Sequence, residues 1–189
     1  ATYAIGADGT TMKTEIGDNA IFEEKIDDNY TRVKFTLPKL NPGCVIEYRY
    51  KITSKRWHRI QNWTFQHSEP VLWSEYVVRI PPQIQYSGVT RGYESFYINE
   101  YGEASQIFQG HALTYVHASL VRCNQNRWVI RNAPALRSEP YVTTIRDYTT
   151  EVELQLAAYI DYGSGMPVKV LKDWETVVSE LKALRSFGG

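Results

Sequence analysis

The sequence predicts a mainly β protein, an antiparallel β-sandwich followed by a C-terminal α-helix, and three observations predict it. Apolar and polar residues alternate with a period of two along much of the 189 residues. The candidate strands are short and punctuated by turn residues with no helical period between them, which argues against an alternating α/β sheet. Aromatic residues make up 13% of the chain, 14 of them tyrosines, and flat rings suit half-buried pleated surfaces.

The first clear strand covers residues 33–37, where Val33, Phe35 and Leu37 alternate with Lys34 and Thr36. Residues 38–43 supply Pro38, Pro42 and Gly43 for a reversal. A second strand then runs over 44–52, with Cys44, Ile46, Tyr48, Tyr50 and Ile52 on one face and Glu47, Arg49 and Lys51 on the other. The two read as a hairpin. Less regular strands are expected at 63–66, at 72–80 before Pro81-Pro82, and at 93–99, 112–122 and 127–131. Residues 133–148, with Pro134 and Pro140, carry no period and read as a surface segment. Over Glu151–Ile160 alternation returns, with Val152, Leu154, Leu156, Ala158 and Ile160 opposing Glu151, Glu153 and Gln155.

After Gly163-Ser164-Gly165 the period changes. Leu171, Trp174, Val177, Val178, Leu181 and Leu184 recur at three and four, the spacing of one helical face, with Asp173 placed to cap it. The expected organisation is an N-terminally truncated sandwich domain over 1–162, a linker over 163–170 and a helix over 171–189. Phe35, Ile46, Tyr48, Leu154 and Leu156 are expected in the core. The helical stripe should face the sandwich, a second copy as a homodimer, or a neighbouring domain, since large apolar side chains left in water forfeit about 1.5 to 3 kcal/mol each.

Twenty-one basic and 21 acidic residues cancel, so no basic field gathers a polyanion and nucleic acid is not an expected partner. No apolar run approaches the ~20 residues of a transmembrane helix. With two cysteines, Cys44 and Cys123, a disulfide-dense scaffold is excluded, while one bridge stays open. Cys44, on an apolar strand face, reads most simply as a core residue. His111 and His117 on one strand would lie about 20 Å apart, too far to share a zinc ion. The acidic pairs Glu23-Glu24 and Asp27-Asp28 read as a solvated turn rather than the opposed carboxylates of a glycosidase, and cross-strand pairing with Arg49 or Arg79 accounts for Glu47 and Glu75. No catalytic, cofactor-binding or metal-binding set is therefore assigned. Trp57, His58 and Tyr93 stand as candidate ligand-binding residues for a glycan or peptide, because exposed rings stack on sugars and grip peptides.

Three segments read together carry a resemblance. They are Val33-Lys34-Phe35-Thr36-Leu37-Pro38 followed by Asn41-Pro42-Gly43-Cys44-Val45-Ile46-Glu47-Tyr48; Trp63-Thr64-Phe65-Gln66 with Pro70-Val71-Leu72-Trp73-Ser74-Glu75-Tyr76; and Asn132-Ala133-Pro134-Ala135-Leu136 with Glu139-Pro140-Tyr141. Their order resembles a bacterial domain family of unknown function that precedes transglutaminase-like domains of papain-like fold in exported proteins of Gram-negative bacteria. Cys44 stands where that family more commonly has Ser, and the family carries further strands before a segment like residues 3–13. The resemblance implies a non-catalytic sandwich in the periplasm or cell envelope. Its partner would be a downstream cysteine-type catalytic domain of the same chain, reached through the Trp174 helix.

Overall fold

Hydrogen-bonded strand pairing organises the protein, whose computed structural model describes residues 1–28, 30–52, 58–108, 119–137, 144–184 and 186. Among the described residues strands hold 48% and helices 10%, and every strand pair is antiparallel. The expected fold class is what the protein adopts. The chain divides into two compact units, Ala1–Thr53 and Ser54–Gly189. That division is not the one expected at 163.

In the first unit, β1 (Thr2–Ile5) and β2 (Thr11–Thr14) form a hairpin whose turn is held locally. The Asp8 carboxylate accepts from the Thr10 N–H at 3.0 Å and its hydroxyl at 2.7 Å, and Gly9 takes φ +79°, which glycine adopts without strain. A second hairpin pairs β3 (Ile21–Lys25) with β4 (Thr31–Phe35). The register Ile21↔Phe35 and Glu23↔Val33 puts Ile21, Val33 and Phe35 on one face. On the opposite face Glu24 meets Lys34 at 2.7 Å and Arg32 at 3.6 Å, so the acidic run belongs to a strand and the turn after it.

Only Val45–Ile46 of the strand expected over 44–52 joins a ladder, as β5 beside β1. Ala1 and Glu47 exchange one further pair of backbone bonds, at 2.9 and 3.0 Å, and the pairing stops there. Phe35, Ile46 and Tyr48 are exposed, at 46%, 47% and 65%, which corrects their assignment to the core. Thr2 is the one buried residue among the described residues of this unit. Alternation tells which side of a strand a residue takes, whereas burial needs a second layer on that side.

The second unit holds the sandwich. Its first sheet places β10 (Ser119–Ala133) between β7 (Val71–Ile80) and β9 (Ile98–Phe108). In its second sheet β11 (Glu151–Ile160) pairs with β8 (Ile84–Arg91) and also with the short β6 (Trp63–Thr64) and β12 (Pro167–Lys169). Val78, Ile80, Trp128, Ile130 and Ala133 from the first sheet form one buried cluster with Ile84, Val152 and Leu154 from the second and with Phe65, which directly follows β6. Trp128 extends an aromatic stack, with Tyr76 at 5.8 Å and Trp63 a further 5.5 Å on. The Trp63 indole N–H donates to Ser74 Oγ at 3.1 Å and the Tyr76 hydroxyl to the Gln61 carbonyl at 2.8 Å, so both polar tips are satisfied. Leu154 is buried and Leu156 packs against the cluster, as expected.

Residues 163–170 do not form a linker. The Asp161 carboxylate accepts from the Ser164 N–H and hydroxyl, Gly165 takes φ +68°, and this turn leads directly into β12 on the edge of β11. The expected 93–99 strand starts only at Ile98, and 112–118 lies outside the described residues. Helix α1 (Trp174–Ala183) forms as expected, the Asp173 carboxylate accepting from the Thr176 N–H at 2.8 Å. None of its residues is buried, and Trp174 is 82% exposed.

Candidate functional site: an apolar groove with an open strand edge

A wide concavity belongs to the first unit. The β3–β4 hairpin presents Ile21, Val33 and Phe35, and residues 47–52 form the facing wall, with Ile16 and Leu37 alongside. The groove measures about 1310 Å³, above the ~300–1000 Å³ of a small-molecule pocket and suited to a chain segment. Phe35 and Tyr48 meet at 6.2 Å, and Tyr48 stacks on Tyr50 at 6.2 Å with 13° between the rings. That same-side contact two residues apart matches an extended chain. A shallower depression of about 510 Å³ lies over Tyr3, Val45, Ile46, Glu47 and Tyr48.

Charge at the rim is uneven. Glu47 accepts the Tyr3 hydroxyl at 2.6 Å rather than meeting Arg49, and this contact raises the Tyr3 hydroxyl above its ordinary pKa. Among the described residues Arg49 and Lys51 have neither an ion-pair nor a hydrogen-bond partner. The backbone of residues 48–52 makes no hydrogen bond among the described residues either. Extended chain with unpaired N–H and C=O groups is receptive to another strand.

The sequence-derived candidates lie elsewhere. Trp57 is outside the described residues, and His58 is exposed. Tyr93 is 77% exposed, with its ring on Tyr148 at 5.7 Å. The described residues thus reduce the trio to two exposed rings on the second unit. A different aromatic group, not singled out by the sequence, is ordered on the polar face of the first sheet of that unit. Trp73 meets Tyr97 edge-on at 5.9 Å, the Arg131 guanidinium lies 5.8 Å over Tyr97, and the Trp73 N–H donates to Glu75 at 2.9 Å. That indole, together with Arg127 at 2.8 Å, holds the Glu75 carboxyl below its usual range. Glu75 therefore pairs with Arg127, while Arg79 turns to Gln125 and Gln106, which corrects the expected Glu75–Arg79 pair. The register explains it: β10 puts Val129 directly opposite Glu75, with Arg127 diagonal on the same face.

Both cysteines are free, Cys44 half-buried and Cys123 buried, so no bridge joins them. Burial pushes the Cys123 thiol above its ordinary pKa, away from nucleophilic use. Among the described residues no cluster of His, Cys, Asp and Glu has a metal-binding arrangement, and no helix is long and apolar enough to cross a membrane. His111 and His117 lie outside the described residues.

Neither the curated proteins nor the solved structures contain a significant match to the chain. A family profile does match, over residues 3–109, which takes in both hairpins of the first unit and the strands β5 to β9. The segment around Asn132, part of the resemblance seen in the sequence, falls outside that match. The matched span exceeds half of the sequence, and the chain belongs to the family of domains of unknown function designated DUF3857.

Proposed function

We propose that the protein is a non-catalytic interaction module that grips an extended segment of a partner in the groove of residues 1–52. The observation that carries this reading is the coincidence of an apolar floor, Ile21, Val33 and Phe35, with a wall of unpaired backbone at 48–52. A strand-accepting groove draws affinity from main-chain hydrogen bonds and selectivity from alternate side chains. In the longer polypeptide implied by the family resemblance, the module sits in the periplasm or cell envelope and positions a downstream transglutaminase-like domain. The reading frame around this chain tests that context. A downstream segment bearing the Cys, His and Asp of such a domain fits the reading, and a frame without one removes it. Titration of the 189-residue chain with that domain, produced separately, tests the interaction: saturable binding abolished by Phe35→Asp is expected, and unaltered binding would move the contact elsewhere.

Glycan recognition is a second reading, favoured by the exposed Trp73–Tyr97 pair beside Arg131. Saccharide titration followed by tryptophan quenching tests it, with Trp73→Ala expected to abolish the response.

A further inference from the structure

We infer that the exposed platform of Trp73, Tyr97 and Arg131 binds an acidic saccharide, a uronic acid whose ring lies on the indole and whose carboxylate is taken by Arg131. The inference rests on the glycan-recognition reading of this platform and names the class of sugar. Trp73 and Arg131 stand directly opposite each other in the ladder between β7 and β10, so their side chains rise from one face of the sheet as neighbours. Tyr97, immediately before β9, joins them, its N–H donating to the Val129 carbonyl at 2.8 Å and its ring meeting Trp73 at 5.9 Å. The indole is held in its own plane, because its N–H donates to Glu75, which Arg127 also holds. Trp73 and Tyr97 nonetheless stay 46% and 60% exposed. Rings fixed before a ligand arrives lose little freedom on binding.

Charge narrows the ligand. Among the described residues this face carries three arginines, Arg79, Arg127 and Arg131, against two glutamates, Glu75 and Glu100. Both carboxylates face Arg127, at 2.8 and 3.5 Å, and Arg79 is taken by Gln125 and Gln106. Of the three, Arg131 alone has neither an ion-pair nor a hydrogen-bond partner among the described residues, its guanidinium lying 5.8 Å over the Tyr97 ring. A contact with a ring face spends none of the N–H donors of an arginine, and the planar guanidinium matches a carboxylate through two parallel bonds. A uronic acid complements both parts of the platform. Its C–H groups form a flat apolar face for the indole, and its ionised carboxylate sits at the edge of the ring, within reach of Arg131. An extended peptide suits the site less, because the main-chain groups of β7 and β10 lie in the plane of the sheet and offer it no partner on this face.

The experiment titrates the 189-residue chain with trigalacturonate and with its fully methyl-esterified form, read by tryptophan fluorescence. The acid should bind about three- to fivefold more tightly than the ester, the gain of one exposed charge pair. Arg131→Gln should equalise the two. Arg79→Gln removes the same charge from the same face, about 20 Å from Trp73 along β7, and should leave the preference intact. Both arginines are exposed, so each variant should keep the urea midpoint of the unaltered chain, and the comparison of acid with ester needs no variant. Equal binding of acid and ester by the unaltered chain would overturn the inference and leave the glycan reading standing. Loss of the preference in Arg79→Gln as well as in Arg131→Gln would overturn it in favour of diffuse charge. Binding of neither saccharide at millimolar concentration would overturn both the inference and the glycan reading.

Discussion

Replacing Gly92 by alanine should be among the most destabilising single-methyl changes available to this protein. Gly92 takes φ +91°, and a Cβ there would lie 2.4 Å from Thr150 Cα, 2.5 Å from its Oγ1 and 2.6 Å from its nitrogen. Two of those atoms are backbone, so no side-chain rotation relieves the overlap. Non-glycine residues held in such a conformation cost about 1 to 3 kcal/mol. Thr150 cannot withdraw freely, because its N–H donates to Gln66 Oε1 at 3.0 Å, its carbonyl accepts from Phe65 at 2.9 Å, and its hydroxyl accepts from the Glu94 N–H at 3.1 Å. Loss of two of these bonds adds about 0.5 to 1.5 kcal/mol each, for a total of about 2 to 6 kcal/mol. Gly165→Ala is the matched control: φ is +68° and nothing lies within 4 Å of the added carbon, so strain alone should cost about 1 to 2 kcal/mol. Urea denaturation followed by tryptophan fluorescence reads both, since every tryptophan lies in the second unit. With a denaturant slope of about 2 kcal/mol/M the Gly92→Ala midpoint should fall by about 1 to 3 M. Equal midpoints for the two variants would refute the contact argument.

Further outcomes follow from the burial and titration pattern. Ile130→Ala should cost about 2 to 5 kcal/mol through lost burial and an unfilled cavity, Ile130 being 1% exposed. Ile46→Ala, at an exposed position, should cost far less, and denaturation midpoints that rank the two in reverse would contradict the packing. Burial pushes the Tyr76 hydroxyl up to about 12 from 10.0. A group with a raised folded pKa contributes full stability below its unfolded value and loses it as pH rises through the folded one. Stability should therefore decline between pH 10 and 12, and Tyr76→Phe should flatten that decline in pH-dependent melting. A thiol-reactive dye should label Cys44 in the native protein and Cys123 only after denaturation; equal rates would contradict the burial of Cys123.

The legible parts of the fold are those in which local chemistry and tertiary position agree. Glu151–Ile160 alternates because one face of β11 meets the sandwich core, and Asp173 caps α1 through a contact three residues away. By contrast, residues 44–52 alternate equally well yet form a ladder only at Val45–Ile46, because the missing determinant is a partner strand and not a propensity. The strand over Ile84–Arg91 leaves no clear period in the sequence, because Ser87 and Gly88 interrupt its alternation and its pairing with β11 is long-range. The candidate groove was invisible for the same reason. Phe35 and Tyr48 carry the signature of core residues, and only the three-dimensional arrangement reveals that the core side is open. Trp73 and Tyr97 similarly meet through sheet geometry that no spacing in the sequence encodes.

The chain order of the two units sets a timetable for biosynthesis. Translation delivers the first unit within seconds, at ~5–20 residues per second, and its hairpins close between near neighbours. The second unit must wait for β11, since the bond from Thr150 to Gln66 spans 84 residues. Such distant pairings form slowly. A nascent chain therefore displays Phe35, Tyr48 and Tyr50, all exposed in the folded first unit, well before the sandwich is complete, and transiently exposed apolar surface is where nascent chains misassociate.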